Sequence, residues 1–193
     1  MKFVEGPKTI RIKRNSGTVI LLAGVQGSGK SFFAQNHFDK NCIIDNDKIF
    51  IQTFKSSGFS NVFSDEDFDE IYPRTQLTVS SMLEGYRKIR PYTVMDSIGY
   101  KFNQWAKLID DLREDYSNII ILILQPSIQV VKKQFEERGK NKNLIPGLFS
   151  PDLGHIFFSW HILEKAIRDK TAGKDADITY IIRNPKKVNI VIE

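Results

Sequence analysis

The segment that most constrains this chain runs from Gly24 to Ser31 and reads GVQGSGKS. It matches the pattern G-x-x-x-x-G-K-[ST], follows the apolar run 18–23 and leads into residues that favour a helix. Glycines let the backbone wrap a polyphosphate, so that N–H groups, the helix N-terminus and a lysine face one anion. We therefore predict that a nucleoside triphosphate binds here, with its Mg²⁺ on the hydroxyl of Ser31. The predicted nucleotide-binding residues are Gly24, Gly27, Ser28, Gly29, Lys30 and Ser31.

The bulk composition limits the class of protein. With 193 residues, of which 41% are hydrophobic, the chain supports one substantial core, so we expect a single domain over residues 1–193. No apolar run is as long as a membrane span, and residues 1–7 lack the apolar core of a signal peptide. We therefore expect a cytoplasmic protein without membrane contacts. The net charge of +5 is only modest support for a polyanionic partner, because such a balance is common among nucleotide-binding proteins.

Hydrophobic patterning predicts strands that alternate with helices. Residues 119–124 form a continuous Ile/Leu run, which is typical of a strand buried on both faces in the centre of a parallel sheet. The other predicted strands are 9–13, at an edge, and 18–23, 42–44, 92–95, 178–182 and 188–192. The predicted helices are 31–39, 49–57, 65–73, 74–88, 102–112, 127–138 and 151–172. This alternation predicts a doubly wound α/β fold, with a mostly parallel sheet, helices on both faces and ligands at the carboxyl ends of the strands.

Acidic residues follow the strand predicted at 42–44. We expect that strand to neighbour the phosphate-loop strand, which would bring Asp45 and Asp47 close to the nucleotide. Phosphoryl transfer needs a carboxylate that accepts the proton of the attacking hydroxyl. Asp47 is the first candidate for this general base, because the chain can turn away after it as a helix. Asp45 is the competing candidate, and a purely structural helix cap is the alternative to a catalytic role.

Asp96 and Ser97 follow the strand predicted at 92–95. This pair is expected to bind the acceptor, hold a basic substrate-binding residue or assist Mg²⁺ through water, with a helix N-cap as the structural alternative for Asp96. The central run 119–124 ends in Gln125 and Pro126 instead of an acid. A P-loop ATPase usually places a metal-positioning Asp there, so this ending weighs against a motor or AAA-type ATPase and favours a small kinase.

The segment from about 139 to 150 is rich in Gly, Lys, Asn and Pro and is too long for a plain turn. With Arg138 at the end of the preceding helix, it predicts a basic lid that closes over the phosphates and stabilises the transferring charge. For Arg138 the alternative is a favourable cation at a helix C-terminus, and for Lys142 a solvated loop lysine.

Four segments, taken in their order and spacing, resemble the P-loop polynucleotide 5′-hydroxyl kinase family, which includes kinase modules of nucleic-acid repair enzymes. They are the phosphate loop with the start of its helix, the strand and acids IIDND at 43–47, the strand end VMDS at 94–97, and the basic ERGKNK at 137–142. The resemblance spans most of residues 18–183 and implies a P-loop kinase-like fold.

The same resemblance implies an activity and roles for particular residues. The protein would transfer the γ-phosphate of ATP to a 5′-hydroxyl end of DNA or RNA. Lys30 and Ser31 would contact the nucleotide and its metal, Asp47 would be the general base, and Arg138 and Lys142 would contact the phosphates.

Two positions depart from the family pattern. The family often carries an Arg three residues after the base, where this chain has Phe50, and a second lid Arg is replaced by Lys142. Arg74 or Arg87 is the candidate substitute for the first of these. The residues predicted to bind the acceptor are Asp96, Ser97 and Arg74.

Two other functions remain open on the sequence. A small-molecule kinase, acting on a nucleoside, sugar or antibiotic hydroxyl, is favoured by the missing Arg after the base. A nucleotide-gated nucleic-acid-binding module with little transfer activity belongs to another class, and it would leave the acids and the lid without a task.

Overall fold

The computed structural model describes residues 2–58, 65–98, 104–139 and 153–193. The strands are β1 Lys2–Glu5, β2 Thr9–Ile12, β3 Thr18–Ala23, β4 Ile43–Asp45, β5 Thr93–Ile98, β6 Asn118–Leu124, β7 Ile178–Ile182 and β8 Asn189–Ile192. The helices are α1 Lys30–His37, α2 Asn46–Ser56, α3 Asp65–Ile89, α4 Trp105–Arg113, α5 Ile128–Gly139 and α6 Leu153–Arg168. No helix within these ranges is long and apolar enough to cross a membrane.

Six strands form one sheet in the order β1-β7-β6-β3-β5-β4, and every neighbouring pair is parallel. The central strand β3 is buried along its whole length between β6 and β5. The Ile/Leu run that was predicted to be central is β6, which is also an interior strand. The predicted doubly wound, parallel α/β fold is therefore confirmed.

Alternate side chains of β3 supply two hydrophobic clusters, one on each face of the sheet. Val19, Leu21 and Ala23 pack with residues of α3, α4, α5 and α6. Ile20 and Leu22 pack on the other face with residues of α1 and of a small second sheet. Burying one such aliphatic side chain contributes about 1.5–3 kcal/mol, so both layers hold the central strand in place.

The chain ends differ from expectation. β1 was not predicted, and it extends the main sheet by pairing with β7. β2 was predicted as an edge strand and β8 as a closing strand, but they pair with each other in a separate two-stranded sheet. The alternation of β2 was read correctly, since Ile10 and Ile12 are buried while Thr9 and Arg11 are exposed. Its partner lies near the other end of the sequence, where a local pattern gives no signal.

Helix α3 continues through a proline at which two separate segments were predicted. Pro73 lies inside the helix and removes one backbone hydrogen bond, at a cost of about 3 kcal/mol. Ile71, Thr75 and Val79, spaced by four residues, are all buried on one stripe that passes the proline. The Thr75 hydroxyl also donates to the Ile71 carbonyl oxygen at 3.0 Å. Packing of this stripe outweighs the local preference of proline.

The position of β4 corrects a second expectation. This strand was predicted to neighbour the phosphate-loop strand, but β5 lies between β4 and β3. Ile44 is opposite Met95 in the register of the two strands, and Asp45 is opposite Asp96. The acids that follow β4 therefore reach the loop across the end of β5.

A carboxylate at the amino ends of two strands links three elements. Asp177 accepts a hydrogen bond from the Ile119 N–H at 2.7 Å and pairs with Arg113 of α4 at 3.1 Å. Partial burial opposes ionisation of Asp177, but these two partners outweigh it and lower the pKa of the carboxyl group. The ionised carboxylate therefore stabilises the folded state.

We predict that Asp177→Asn lowers the free energy of unfolding at neutral pH by about 1 kcal/mol, after allowance for solvent screening. Because the folded-state pKa is lowered, this contribution is complete above the unfolded pKa of about 3.9 and is lost as pH falls through the folded-state value. Urea unfolding of both proteins should therefore show a difference that shrinks below about pH 4. Asp111→Asn, on the exposed side of α4, is the control. A difference independent of pH would contradict the assignment.

Candidate active site

The phosphate loop joins β3 to α1 in the predicted conformation. Gly24, Gly27 and Gly29 have positive φ angles of 145°, 79° and 88°. A Cβ at Gly24 would lie 2.5 Å from the Leu124 carbonyl oxygen, so the loop lies directly against the end of β6. Gly29 is the N-cap residue of α1, which directs the N-terminus of that helix into the loop.

The lysine of the loop folds back over it. The Lys30 ammonium donates to the carbonyl oxygens of Gly24 and Val25 at 3.0 and 3.1 Å, which holds it above the loop. Ser28 is 1% exposed, and its hydroxyl oxygen has no hydrogen-bond partner among the described residues. A buried polar atom of this kind is costly unless it is satisfied, and a ligand oxygen would satisfy it.

Asp96 lies within β5, so the N-cap alternative for this residue is wrong. Its side chain is 1% exposed and forms a hydrogen bond with Ser31, while its Oδ1 atom has no partner within the described structure. Burial raises the pKa of Asp96, the Ser31 hydrogen bond and the Lys30 charge oppose this, and the nearby carboxylates of Asp45 and Asp47 reinforce it. The structure thus brings Asp96, Ser31 and Lys30 together.

Asp45 and Asp47 differ in their local roles. Asp45 is the N-cap of α2, and its Oδ1 accepts from the Lys48 N–H at 3.0 Å. Helix α2 begins at Asn46, three residues before the predicted start at Ile49, because this cap is in place. Asp47 is half-buried in the first turn. Both carboxylates act on Asp96, so the acids of β4, α2 and β5 meet beside the loop.

An open cavity of about 330 Å³ begins at this cluster. It lies between α1 and α2 beside the edge strand β4, on the side of the site away from β6. Its lining residues are Ser31, Ala34, Gln35, Lys40, Ile43, Asp45, Lys48, Ile49, Gln52, Met82 and Asp96. Ser31 and Asp96 connect it to the phosphate loop, so a molecule in the cavity would lie next to a bound triphosphate.

The two arginines proposed to replace the family Arg are elsewhere. Arg74 is exposed and pairs with Glu70 at 2.7 Å on α3, and it does not line the cavity. Arg87 pairs with Asp115. Phe50 itself is 6% exposed, with its ring centroid 5.8 Å from that of Phe68 on α3. Position 50, three residues after the proposed base, is therefore part of the packing between α2 and α3.

Other predicted site residues are described in part or not at all. Arg138 lies in the last turn of α5, but its side chain is outside the described structure. Lys142 and the rest of the lid after Gly139 fall within residues 140–150, which are outside the described ranges. Only the backbone of Ser97 is described, at a point where the β3–β5 register shifts by one residue. The roles of these residues stay predictions.

Sequence reasoning missed three residues in and near the site. Lys40 and Lys48 line the cavity, although neither belonged to a predicted motif. Gln125 follows β6, is fully buried and donates to the Trp160 carbonyl oxygen at 3.2 Å. The Trp160 indole N–H donates in turn to the Pro126 carbonyl oxygen at 2.9 Å, so α6 is fastened to the end of β6. The sequence signal that could have identified Lys48 was a lysine directly after the candidate base Asp47.

These features define a class of protein. A parallel sheet whose central strand enters a phosphate loop and helix, with a buried Asp on the adjacent strand, is a P-loop kinase fold that binds a nucleotide. Residues 19–145 match the family described as AAA domain, AAA_33, and the chain belongs to this family of P-loop kinases. Strand β6 ends in Gln125 instead of an acid, which favoured a small kinase on the sequence, and the match to a kinase family agrees with that expectation. The buried carboxylate of this site is on β5.

Two solved structures are similar in fold. One is a chain of the Pnkp1/Rnl/Hen1 RNA repair complex, with 18% identity and a TM-score of 0.58, covering 79% of this chain and 45% of that chain. The other is a candidate kinase from Chloroflexus aurantiacus, with 14% identity and a TM-score of 0.57, covering 89% and 91%. The protein thus spans less than half of the RNA-repair chain that it matches. No curated protein matches the sequence.

We predict that Gly24→Ala weakens ATP binding by more than about tenfold and destabilises the fold, because the added methyl group meets a backbone oxygen of β6. Gly58→Ala is the matched control, since Gly58 also has a positive φ of 75° but no atom of the described residues lies within 4 Å of the added Cβ. It should cost about 1–2 kcal/mol of stability from backbone strain and leave ATP affinity unchanged. Titration with a fluorescent ATP analogue and thermal unfolding test both. Normal ATP binding by Gly24→Ala would contradict the loop geometry.

Proposed function

We propose that this protein is an ATP-dependent kinase that transfers the γ-phosphate to a 5′-hydroxyl end of DNA or RNA. The observation that carries the proposal is the acid cluster of Asp45, Asp47 and Asp96, which stands between the phosphate loop and a cavity lined by two lysines. A donor site, a carboxylate and an acceptor cavity that carries cationic side chains are the parts that phosphoryl transfer to an anionic acceptor needs. The fold similarity to a chain of an RNA repair complex supports the same acceptor class.

The donor half of the site would bind the triphosphate of ATP. The loop N–H groups, the N-terminus of α1 and the Lys30 ammonium converge on one side of β3, and together they favour a polyanion. On binding, the ammonium would exchange its contacts with the Gly24 and Val25 carbonyl oxygens for phosphate oxygens. Lys30 is therefore proposed to position the transferring phosphate and stabilise its charge.

Mg²⁺ is the cofactor that such a kinase uses with ATP. No group of three or more His, Cys, Asp or Glu residues arranged to hold a metal occurs among the described residues. The hydroxyl of Ser31 and the buried, unpartnered Oδ1 of Asp96 nevertheless fit a magnesium site, because Mg²⁺ accepts few protein ligands and completes its shell with water and phosphate oxygens. When bound, the ion would neutralise charge on the phosphates.

Asp47 is proposed as the general base. The acceptor oxygen forms a bond with the γ-phosphorus, the bond to the β-phosphate oxygen breaks, ADP leaves, and the hydroxyl proton passes to the Asp47 carboxylate. Asp45 is the weaker candidate, because one of its oxygens already caps α2 through the Lys48 N–H. Asp47 is in the first turn of that helix and belongs to the same acid cluster.

The lid remains part of the proposal. Arg138 and Lys142 would approach the phosphates when residues 139–150 close, which would exclude water and stabilise the transferring charge. In this arrangement residues 1–193 act as one domain, with the donor bound between the loop and the lid and the acceptor bound beside β4.

We predict that Asp47→Asn lowers the rate of transfer by at least about a hundredfold while ATP affinity is retained, because the amide cannot accept the proton. Asp45→Asn is the matched control, since asparagine caps a helix about as well as aspartate and should leave transfer within about threefold. Transfer is measured with radiolabelled ATP and 5′-hydroxyl oligonucleotides of DNA and RNA.

The result distinguishes the candidate bases and the alternatives. A large loss in Asp45→Asn with normal transfer by Asp47→Asn would reverse the assignment. No transfer to any DNA or RNA end by the wild-type protein would overturn the proposed function. Oligonucleotide binding that responds to ATP without turnover would support the nucleotide-gated module instead.

A small-molecule kinase is the second candidate, and the burial of Phe50 favours it. No cation occupies that position, and a cavity of about 330 Å³ accommodates a nucleoside, sugar or antibiotic. Salt separates the two candidates, because binding to a polymer of phosphates releases counterions and weakens steeply as salt rises. We predict that KM for an oligonucleotide acceptor rises strongly between low and physiological salt, whereas KM for a neutral small acceptor stays nearly constant.

A further inference from the structure

The wall of the cavity beside β4 carries apolar, acidic and cationic side chains in different places. Ile43, Ile49 and Met82 provide apolar surface, and Asp45 and Asp96 lie at the end that meets the phosphate loop. Lys40 and Lys48 add two positive charges from separate elements, a short 3₁₀ turn before β4 and the first turn of α2. A ligand that fits these surfaces has an apolar part, a reacting group near the acids and an anion.

Lys40 and Lys48 carry positive charges that no carboxylate of the described residues pairs with. Within the described structure, neither ammonium group forms an ion pair, whereas Arg74, Arg87 and Lys88 on α3 are each paired with a carboxylate. Both lysine side chains are exposed at the cavity and keep full access to a ligand. Unpaired cations on the wall of a cavity attract an anionic group, and lysine suits phosphate as a point charge.

The size of the cavity limits how much of an acceptor it holds. A volume of about 330 Å³ is at the lower end of the range of about 300–1,000 Å³ found for ligand pockets. One nucleoside with its adjacent phosphate fits this volume, and a longer strand would continue into solvent. The charge that the lysines can reach is then that of the phosphate nearest the acceptor hydroxyl.

We propose that Lys40 and Lys48 bind the phosphate on the 3′ side of the terminal nucleoside, while its 5′-hydroxyl faces the acid cluster. The apolar wall of Ile43, Ile49 and Met82 contacts the terminal base or sugar. This inference rests on the proposed function and names residues for the acceptor phosphate, at a site where Phe50 is buried against α3 and offers no cation.

The test uses 5′-hydroxyl oligonucleotides that differ in one charge. In one, the first internucleotide linkage is a neutral methylphosphonate; in the other, the same change is at the third linkage. Wild-type protein should show kcat/KM at least about tenfold lower for the first than for an unmodified strand, through KM, and nearly normal values for the second. Lys40→Gln and Lys48→Gln should each raise KM for the unmodified strand and lose most of this discrimination, as interacting partners do in a double-mutant cycle.

Control variants separate the effect of the lysine charge from an effect on the stability of α2. Lys48→Gln retains the backbone N–H that Asp45 caps, so α2 should remain intact, as circular dichroism would show. Lys55→Gln removes the same charge from the last turn of α2, outside the cavity, and should leave discrimination unchanged. Lys48→Arg should discriminate between the two modified strands as the wild type does, because the positive charge is kept.

Failure of this inference can be told from failure of the proposed function. Wild-type transfer that is indifferent to the first linkage, or lysine variants that discriminate like wild type, would overturn the role of Lys40 and Lys48 alone. If no strand is phosphorylated, calorimetric binding of a nucleoside 3′-monophosphate decides: the inference requires binding at least about tenfold tighter than that of the nucleoside, and loss of the difference in both variants. Equal binding of the two would overturn it.

Discussion

The position of β3 between β5 and β6 is the constraint on which the whole candidate site depends. All three strands are parallel, so their carboxyl ends meet at one edge, and the loop after β3 contacts both neighbours. The clearance of 2.5 Å between a Cβ at Gly24 and the Leu124 carbonyl oxygen shows how closely the loop fits β6. On the other side, Ser31 is hydrogen-bonded to Asp96 of β5. Packing of the sheet thus positions the donor residues before any ligand binds.

Features that depend on local pattern were predictable from sequence. The phosphate loop is a contiguous motif, and the Ile/Leu run of β6 indicates burial on both faces. The order of the strands was not predictable in the same way, because it depends on contacts between distant segments. Ile44 pairs with Met95, and this pairing moves β4 outside β5. Likewise, Pro73 argued locally for a helix end, while the buried stripe of α3 continues past it.

The same distinction between local pattern and distant contacts applies to the residues of the candidate site. The donor residues are consecutive in sequence, so one motif identified them together. The distinction between Asp45 and Asp47 depended on where α2 begins, and the sequence pattern placed that start three residues too late, at Ile49 instead of Asn46. Lys40 and Lys48 come from separate elements and share only the wall of one cavity, so no spacing rule could connect them. Their grouping is a property of the tertiary structure.

The periodicity of α2 explains why a cation is absent at position 50 and present at position 48. Phe50 and Phe54, four residues apart, are buried on the face of α2 that contacts α3. Lys48 and Gln52, also four residues apart, line the cavity on another face of the same helix. An Arg at position 50 would have to leave this apolar packing to reach an acceptor. Because α2 is anchored by its aromatic face, a positive charge of this helix that faces the cavity must come from its other side, where Lys48 lies.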